Sequence, residues 1–182
     1  TDSATNFATF NLEVISINDA PVVSSQTVII DEDTELVLTL SATDVDGDEL
    51  FFDVYDLVPA WAYNISGNQL TLVPPSDFNG DEQFTVVAFD SSGAFSSTEF
   101  IVTVNPVNDA PVLSELSEIN MMEGTVEIIS LSGSDVDSPD LTFSALGSDH
   151  ITVLLNDTTL MIMPQQEWSG SEDITISISD GQ

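Results

Sequence analysis

Val107-Asn108-Asp109-Ala110-Pro111-Val112 repeats, almost letter for letter, Ile17-Asn18-Asp19-Ala20-Pro21-Val22, 90 positions earlier. Proline has no N–H and biases the residue before it to extended geometry, so neither copy suits a helix or a central strand. The Asn-Asp pair offers side-chain oxygens and no apolar surface. Each copy therefore reads as a hinge, and the chain as near-copies of one unit hung on two hinges.

Working outward, the repeat holds in register. Asp44-Val45-Asp46 matches Asp135-Val136-Asp137, Glu32 and Thr34 match Glu123 and Thr125, and Phe78 and Gly80 match Trp168 and Gly170. Asp90 matches Asp180, and Phe100, Val102 and Val104 match Phe10, Leu12 and Val14. Apolar and polar residues alternate in short runs: Val22 to Ile30, Leu36 to Leu40, Leu50 to Val54, Gln69 to Val73 and Phe84 to Ala88. Turn clusters rich in Gly, Asn, Asp and Ser separate them. That is strand periodicity at sandwich spacing, and no helical period competes with it. The expected fold is all-β, with tandem Greek-key β-sandwiches arranged end to end. The expected division is 1–16 as the last strand of a preceding repeat, 17–106 as a complete repeat, and 107–182 as a second repeat lacking its last strand.

Composition narrows the function. The 182 residues carry 32 Asp+Glu and neither Lys nor Arg, a formal charge of −32. A typical chain is about a quarter charged with both signs mixed. Without basic residues, neither nucleic acid nor an anionic membrane surface is expected as a partner. Like charge on this scale destabilises a compact state unless it is screened or neutralised. A divalent cation would neutralise it, and a solvated acidic surface suited to high salt is the alternative. A hydrophobic content of 42% is too high for a disordered acidic tail. There is no cysteine, so no disulfide holds these units. No apolar run is long enough for a membrane helix, and the chain reads as an internal piece of something larger.

The candidate site combines Asp44-x-Asp46-x-Asp48 with Asn18, Asp19 and Asp90. Strand-to-strand loops at one pole would gather them. Carboxylates with amide or backbone carbonyls suit calcium at six to eight oxygen ligands, and not zinc or copper. The lone His150 has no visible partner set and reads as a strand residue. Tyr55, Trp61 and Tyr63 offer a sugar-stacking platform or fill the core; Phe78 and Trp168 read as core. Paired carboxylates can serve hydrolysis, but here they recur once per unit with no nucleophile–base set, so no enzyme is expected.

These motifs, with Ala88-Phe89-Asp90 and Leu57-Val58-Pro59-Ala60-Trp61, resemble cadherin repeats. They resemble more closely the cadherin-like and immunoglobulin-like tandem repeats of giant bacterial surface adhesins. The resemblance spans essentially the whole chain. It implies an extracellular or cell-surface stalk or fibre with calcium held between successive domains. Carried over, the first junction uses Asn18, Asp19, Asp44, Asp46 and Asp90. The second uses Glu32, Asp77, Asn108, Asp109, Asp135, Asp137 and Asp180. The hinge is one residue shorter than the cadherin linker and lacks its leading acid, and the Asp-Arg-Glu motif is absent. The alternatives are a module binding a surface glycan or protein, and a strand-donating subunit of a filament. Reading from Gln182 into Thr1 gives a natural strand–loop–strand. The expected partners are therefore neighbouring copies, head to tail, with residues 6–16 beside residues 172–180 in antiparallel register.

Overall fold

A computed structural model describes residues 5–182. Every regular element among them is a strand. The chain divides into two compact units, the second running from Val107 to Gln182.

Unit one holds β1 (Val22–Val23), β2 (Thr27–Asp31), β3 (Leu36–Thr39), β4 (Ala42–Thr43), β5 (Leu50–Tyr55), β6 (Ala62–Ser66), β7 (Gln69–Val73), β8 (Gly80–Asp90) and β9 (Phe95–Asn105). One sheet runs β2-β9-β8-β5 and another β3-β7-β6, with β1 paired to β4. All pairings are antiparallel except β2 with β9, which is parallel. Period-two alternation turns Val54, Phe84, Val86, Ala88, Phe100, Val102 and Val104 inward from the first sheet. Leu36, Leu38, Leu70 and Leu72 face them from the second, with Leu40 and Trp61 completing the core.

The run Val22 to Ile30 reads in sequence as one strand, but it breaks at residues 24–26. Val22 and Val23 pair with Thr43 and Ala42, whereas Thr27 onward pairs with β9. The chain changes partner there, and β-branched composition alone does not report partner choice. Hairpin β6–β7 closes through Gly67-Asn68, with Gly67 at φ +62°.

Unit two holds β10 (Val112–Leu113), β11 (Glu127–Ser130), β12 (Gly133–Ser134), β13 (Thr142–Leu146), β14 (Ile151–Asn156), β15 (Thr159–Pro164) and β16 (Thr175–Ser179). They form β10-β12, β11-β15-β14 and β13-β16. The pairs Phe143–Ile178 and Ala145–Ile176 repeat Phe52–Ala88 and Val54–Val86 of unit one. Its fully buried centre is smaller: Leu131, Leu160 and Ile162, with Ile129, Phe143, Ile174 and Ile176 packed against it.

Two segments with strand-like sequence form no strand. Residues 117–122 correspond to β2, whose partner in unit one is β9. Among the described residues no strand pairs with 117–122, and a segment without a ladder partner is not a strand. Residues 5–16 carry the β9 pattern, yet they form no strand ladder, and Phe10, Leu12 and Val14 stand 87%, 74% and 84% exposed. Residues 1–4 of the expected strand lie outside the described residues.

Candidate metal-binding poles

Each unit builds the same acid-rich pole from its hinge and two loops. In unit one, the Asn18 amide donates to Asp90 Oδ2 at 2.8 Å, and the Asp19 N–H donates to Asp46 Oδ2 at 2.7 Å. The loop after β4 closes on Asp44, whose Oδ1 accepts the N–H groups of Asp46 (2.8 Å) and Gly47 (3.1 Å). This is the Asx turn that Asp-x-Asp-Gly favours, with Gly47 at φ +78°. Asp90 ends β8, and its Oδ1 accepts the N–H groups of Ser92 and Ala94 in the β8–β9 turn.

Unit two repeats the geometry. Asn108 donates to Asp180 Oδ2 at 2.6 Å, the Asp109 N–H to Asp137 Oδ2 at 2.7 Å, and the Asp137 and Ser138 N–H groups to Asp135 Oδ1. The two copies diverge in this loop, where Ser138 and Pro139 stand in place of Gly47 and Asp48.

The electrostatics follow from these bonds. The Asn18 amide holds the Asp90 carboxyl below its ordinary range, helped by the turn N–H groups. Asn108, and then the Gln182 N–H, do the same for Asp180. Desolvation pushes Asp48 up, and the neighbouring charges of Asp44, Asp90 and Asp46 add to it. Ligand oxygens of Asp44, Asp46 and Asp48 lie within 4.8 Å of one another. In each pole one carboxylate oxygen, Asp44 Oδ2 or Asp135 Oδ2, is buried with no hydrogen-bond partner. A buried anionic oxygen without a donor is costly, and a cation is the partner that relieves it. An oxygen-only donor set with such an oxygen fits a hard cation of the calcium type.

Glu32 and Asp77 sit at the other end of unit one. Glu32 follows β2, where its N–H bonds to Asn105 O at the close of β9, and Asp77 precedes β8. The 11 residues of β8 separate that base from the Asp90 pole, roughly 35 Å at strand rise. The base includes Asp33, unremarked in the sequence: its Oδ1 accepts the Asp77 N–H at 3.2 Å, and both residues hold positive φ. Nothing in residue spacing pointed to Asp33.

Two sequence expectations change. His150 is not a strand residue; it lies in the turn before β14. It meets Glu172 through Nδ1, its N–H donates to Glu172 Oε2 at 3.0 Å, and its ring stacks on Trp168 at 5.0 Å. The nearby Ser148 hydroxyl and the bonds from His150 hold the Glu172 carboxyl at about 2. The signal was present in the repeat, since Glu172 matches Glu82, which accepts the Val58 N–H at 3.0 Å in unit one. Trp168, expected in the core, is half-buried against His150, whereas Phe78 packs edge-on against the core Trp61. Of the two readings of the aromatic set, Trp61 takes the core one at 5% exposed, while Tyr55 and Tyr63 stay at the surface.

Two sandwich units of immunoglobulin type, each with an acidic hinge pole, define a tandem-repeat protein. Residues 18–104 match the bacterial Ig domain family and residues 107–182 the cadherin-like domain family. Among solved structures, Drosophila N-cadherin EC1-4 is similar at 15% identity and TM-score 0.52, covering 90% of this chain and 46% of that one. Mouse cadherin-23 EC22-24 is similar at 22% identity and TM-score 0.51, covering 93% and 62%. The chain thus spans less than two thirds of either, and at these identities the likeness is one of fold. No curated protein sequence matches the chain. No helix among the described residues is long and apolar enough to cross a membrane.

Proposed function

We propose that this chain is a structural repeat segment of an extracellular, cell-surface adhesin stalk or fibre, whose hinges are stiffened by calcium. The observation that carries the reading is the twice-built pole: the same Asn–Asp clamp, the same Asx turn and the same orphaned carboxylate oxygen at Asp44 and Asp135. When bound, the ion supplies positive charge to oxygens that otherwise repel. The chain's own residues do the rest. Asn18 and Asn108 fix the carboxylates of Asp90 and Asp180, and the Asx turns present the remaining oxygens of Asp44 and Asp135.

Connectivity supports a shared ligand set at the second hinge. Asn105 closes β9 at the Glu32 end of unit one, and Asn108 follows three residues later. Carboxylates from Glu32 and Asp77 and oxygens from Asn108, Asp109, Asp135, Asp137 and Asp180 would then hold one angle around common cations. Neighbouring copies join head to tail, a strand of one completing the sheet of the next. Acid–base catalysis has no place in this reading, because the carboxylates recur once per repeat and are engaged by backbone N–H groups.

The test is calcium titration by calorimetry alongside small-angle scattering. Saturable binding, with a longer and stiffer particle in calcium than in chelator, supports the reading; heat and dimensions indifferent to calcium overturn it. A second reading, an adhesive module for a surface glycan or protein, draws on Phe51, Phe89 and Phe95, aligned across β5, β8 and β9. Phe51 and Phe89 are stacked at 5.6 Å, and Phe95 is 65% exposed. Glycan-array binding lost in Phe95→Ala would favour it.

A further inference from the structure

The outer face of the sheet β2-β9-β8-β5 carries three phenylalanines in one cross-strand row. Phe51 pairs with Phe89, and Phe89 with Phe95. The Phe51 and Phe89 rings stack with an interplanar angle of 24°, and Phe51 is 41% exposed. The next row on that face is Asp53, Val87 and Ser97, and the one after it Tyr55, Thr85 and Glu99. Alternation turns Val54, Val86 and Ala88 into the core, so the aromatic row takes no part in it.

Unit two builds the same ladder without aromatics. Thr142 pairs with Ser179 where unit one pairs Phe51 with Phe89. Ser144 and Ser177, joined by a 3.0 Å hydroxyl bond, stand where unit one has Asp53 and Val87. The strand pairing therefore requires neither large apolar nor charged side chains at these places. An exposed aromatic cluster that the fold does not require, bordered by acids, has the composition of a recognition surface.

We propose that this face of unit one docks a basic, arginine-bearing protein segment. Charge complementarity picks the occupant. The chain has no Lys or Arg, so Asp53 and Glu99 meet no such cation within it, and a second copy, also at −32, is repelled. The Asp53 Oδ1 accepts the Val54 N–H at 2.8 Å, which fixes the place of its carboxylate. A guanidinium lies on a Phe ring and still reaches a carboxylate with its N–H fork, whereas an ammonium lacks that planar stack. Asp53 stands two residues from Phe51 and Glu99 four from Phe95, roughly 7 and 13 Å along the strands. An extended segment with arginines at alternate positions spaces its charges by the same steps of roughly 7 Å. A sugar ring fits less well, because Phe51 and Phe89 turn faces to each other rather than lie side by side as a platform. The inference deepens the second, adhesive reading above and rests on it.

The probe is a short, fluorescently labelled peptide alternating Arg and Thr, read by anisotropy against the full chain. Versions with Lys or neutral citrulline in place of Arg are the comparison, and binding should weaken with Lys and vanish with citrulline. A chain this acidic attracts any polycation, so the deciding variants keep its charge. Phe51→Thr, Phe89→Ser and Phe95→Thr together should weaken the Arg peptide ~tenfold. Phe95→Thr alone, at the most exposed ring of the row, should lose part of that and guards against misfolding of the triple variant. Asp53→Asn with Glu99→Gln should also weaken binding, whereas Glu127→Gln with Asp140→Asn, the same charge change on exposed acids of unit two, should not. Equal affinity across all these variants means attraction by charge alone and overturns the site. Glycan-array binding lost in Phe95→Thr, with no peptide binding, overturns the cationic occupant and leaves the adhesive reading standing. Binding of neither overturns both, and no outcome bears on calcium at the hinges.

Discussion

The Asn18 side chain donates to the Asp90 carboxylate at 2.8 Å across 72 residues of sequence, tying the hinge to the end of β8. Asn108 and Asp180 repeat the tie at the same separation of 72. The amide favours the ionised carboxylate in each pair, so both acids lie below their ordinary range.

That tie predicts the acid behaviour of the hinge. A carboxyl depressed in the folded state adds stability above its unfolded value, 3.8 for Asp90, and loses it as pH falls through the folded value. In Asn18→Ala the Asp90 pKa should rise toward or above the ordinary value, so acid loosening begins at higher pH. Carbon-detected NMR titration of the Asp90 carboxyl checks it; an unchanged midpoint refutes the clamp.

Chelation should lower the melting temperature. Extracellular calcium modules bind at roughly 10⁻⁴–10⁻³ M. Ligand at 100 times the dissociation constant adds about 2.7 kcal/mol per site, a shift on the order of 10 °C for units of this size. Calorimetric scans with calcium and with chelator measure it. Coincident scans are the contrary outcome.

Asp135→Ala or Asp137→Ala should weaken calcium binding at the second hinge and leave unit one folded. Asp137→Ala also removes the acceptor for the Asp109 N–H, a loss of about 1 kcal/mol in unit two. Each unit has one tryptophan, Trp61 or Trp168, so Phe replacement of either one separates their fluorescence transitions. Movement of the Trp61 transition would contradict the assignment of these acids to the pole.

By contrast, Phe84→Ala in the core of unit one should cost about 3–5 kcal/mol, because it leaves a cavity against Phe100. The Trp61 transition should move by many degrees without calcium-site loss. Chemical denaturation with the Trp61 signal tests it.

Glu172 gives unit two its own pH signature. Its carboxyl lies at about 2 against an ordinary 4.5. The stability it contributes is complete above 4.5 and drains away as pH falls toward 2. Glu172→Gln should flatten the pH dependence of the Trp168 transition across that window. A wild-type slope retained in the variant would show that another group is responsible.

The sequence by itself determined the repeat, its hinges and the acids of each pole, because these depend on short-range chemistry. Ala-Pro cannot continue a strand ladder, Asp-x-Asp-Gly closes an Asx turn on its own backbone, and period-two alternation sets which face is buried. What only the tertiary structure decided depends on partners distant in the chain. Residues 22–30 split because their halves pair with β4 and β9. Residues 117–122 and 5–16 carry strand patterns but form no strand, since a ladder needs a neighbour that sequence periodicity does not supply. His150 finds Glu172 across 22 residues, Asp33 finds the Asp77 N–H across 44, and Trp61 is core while Trp168 is half-buried. In each case the residue type was legible, but its neighbours were set by how the strands assemble.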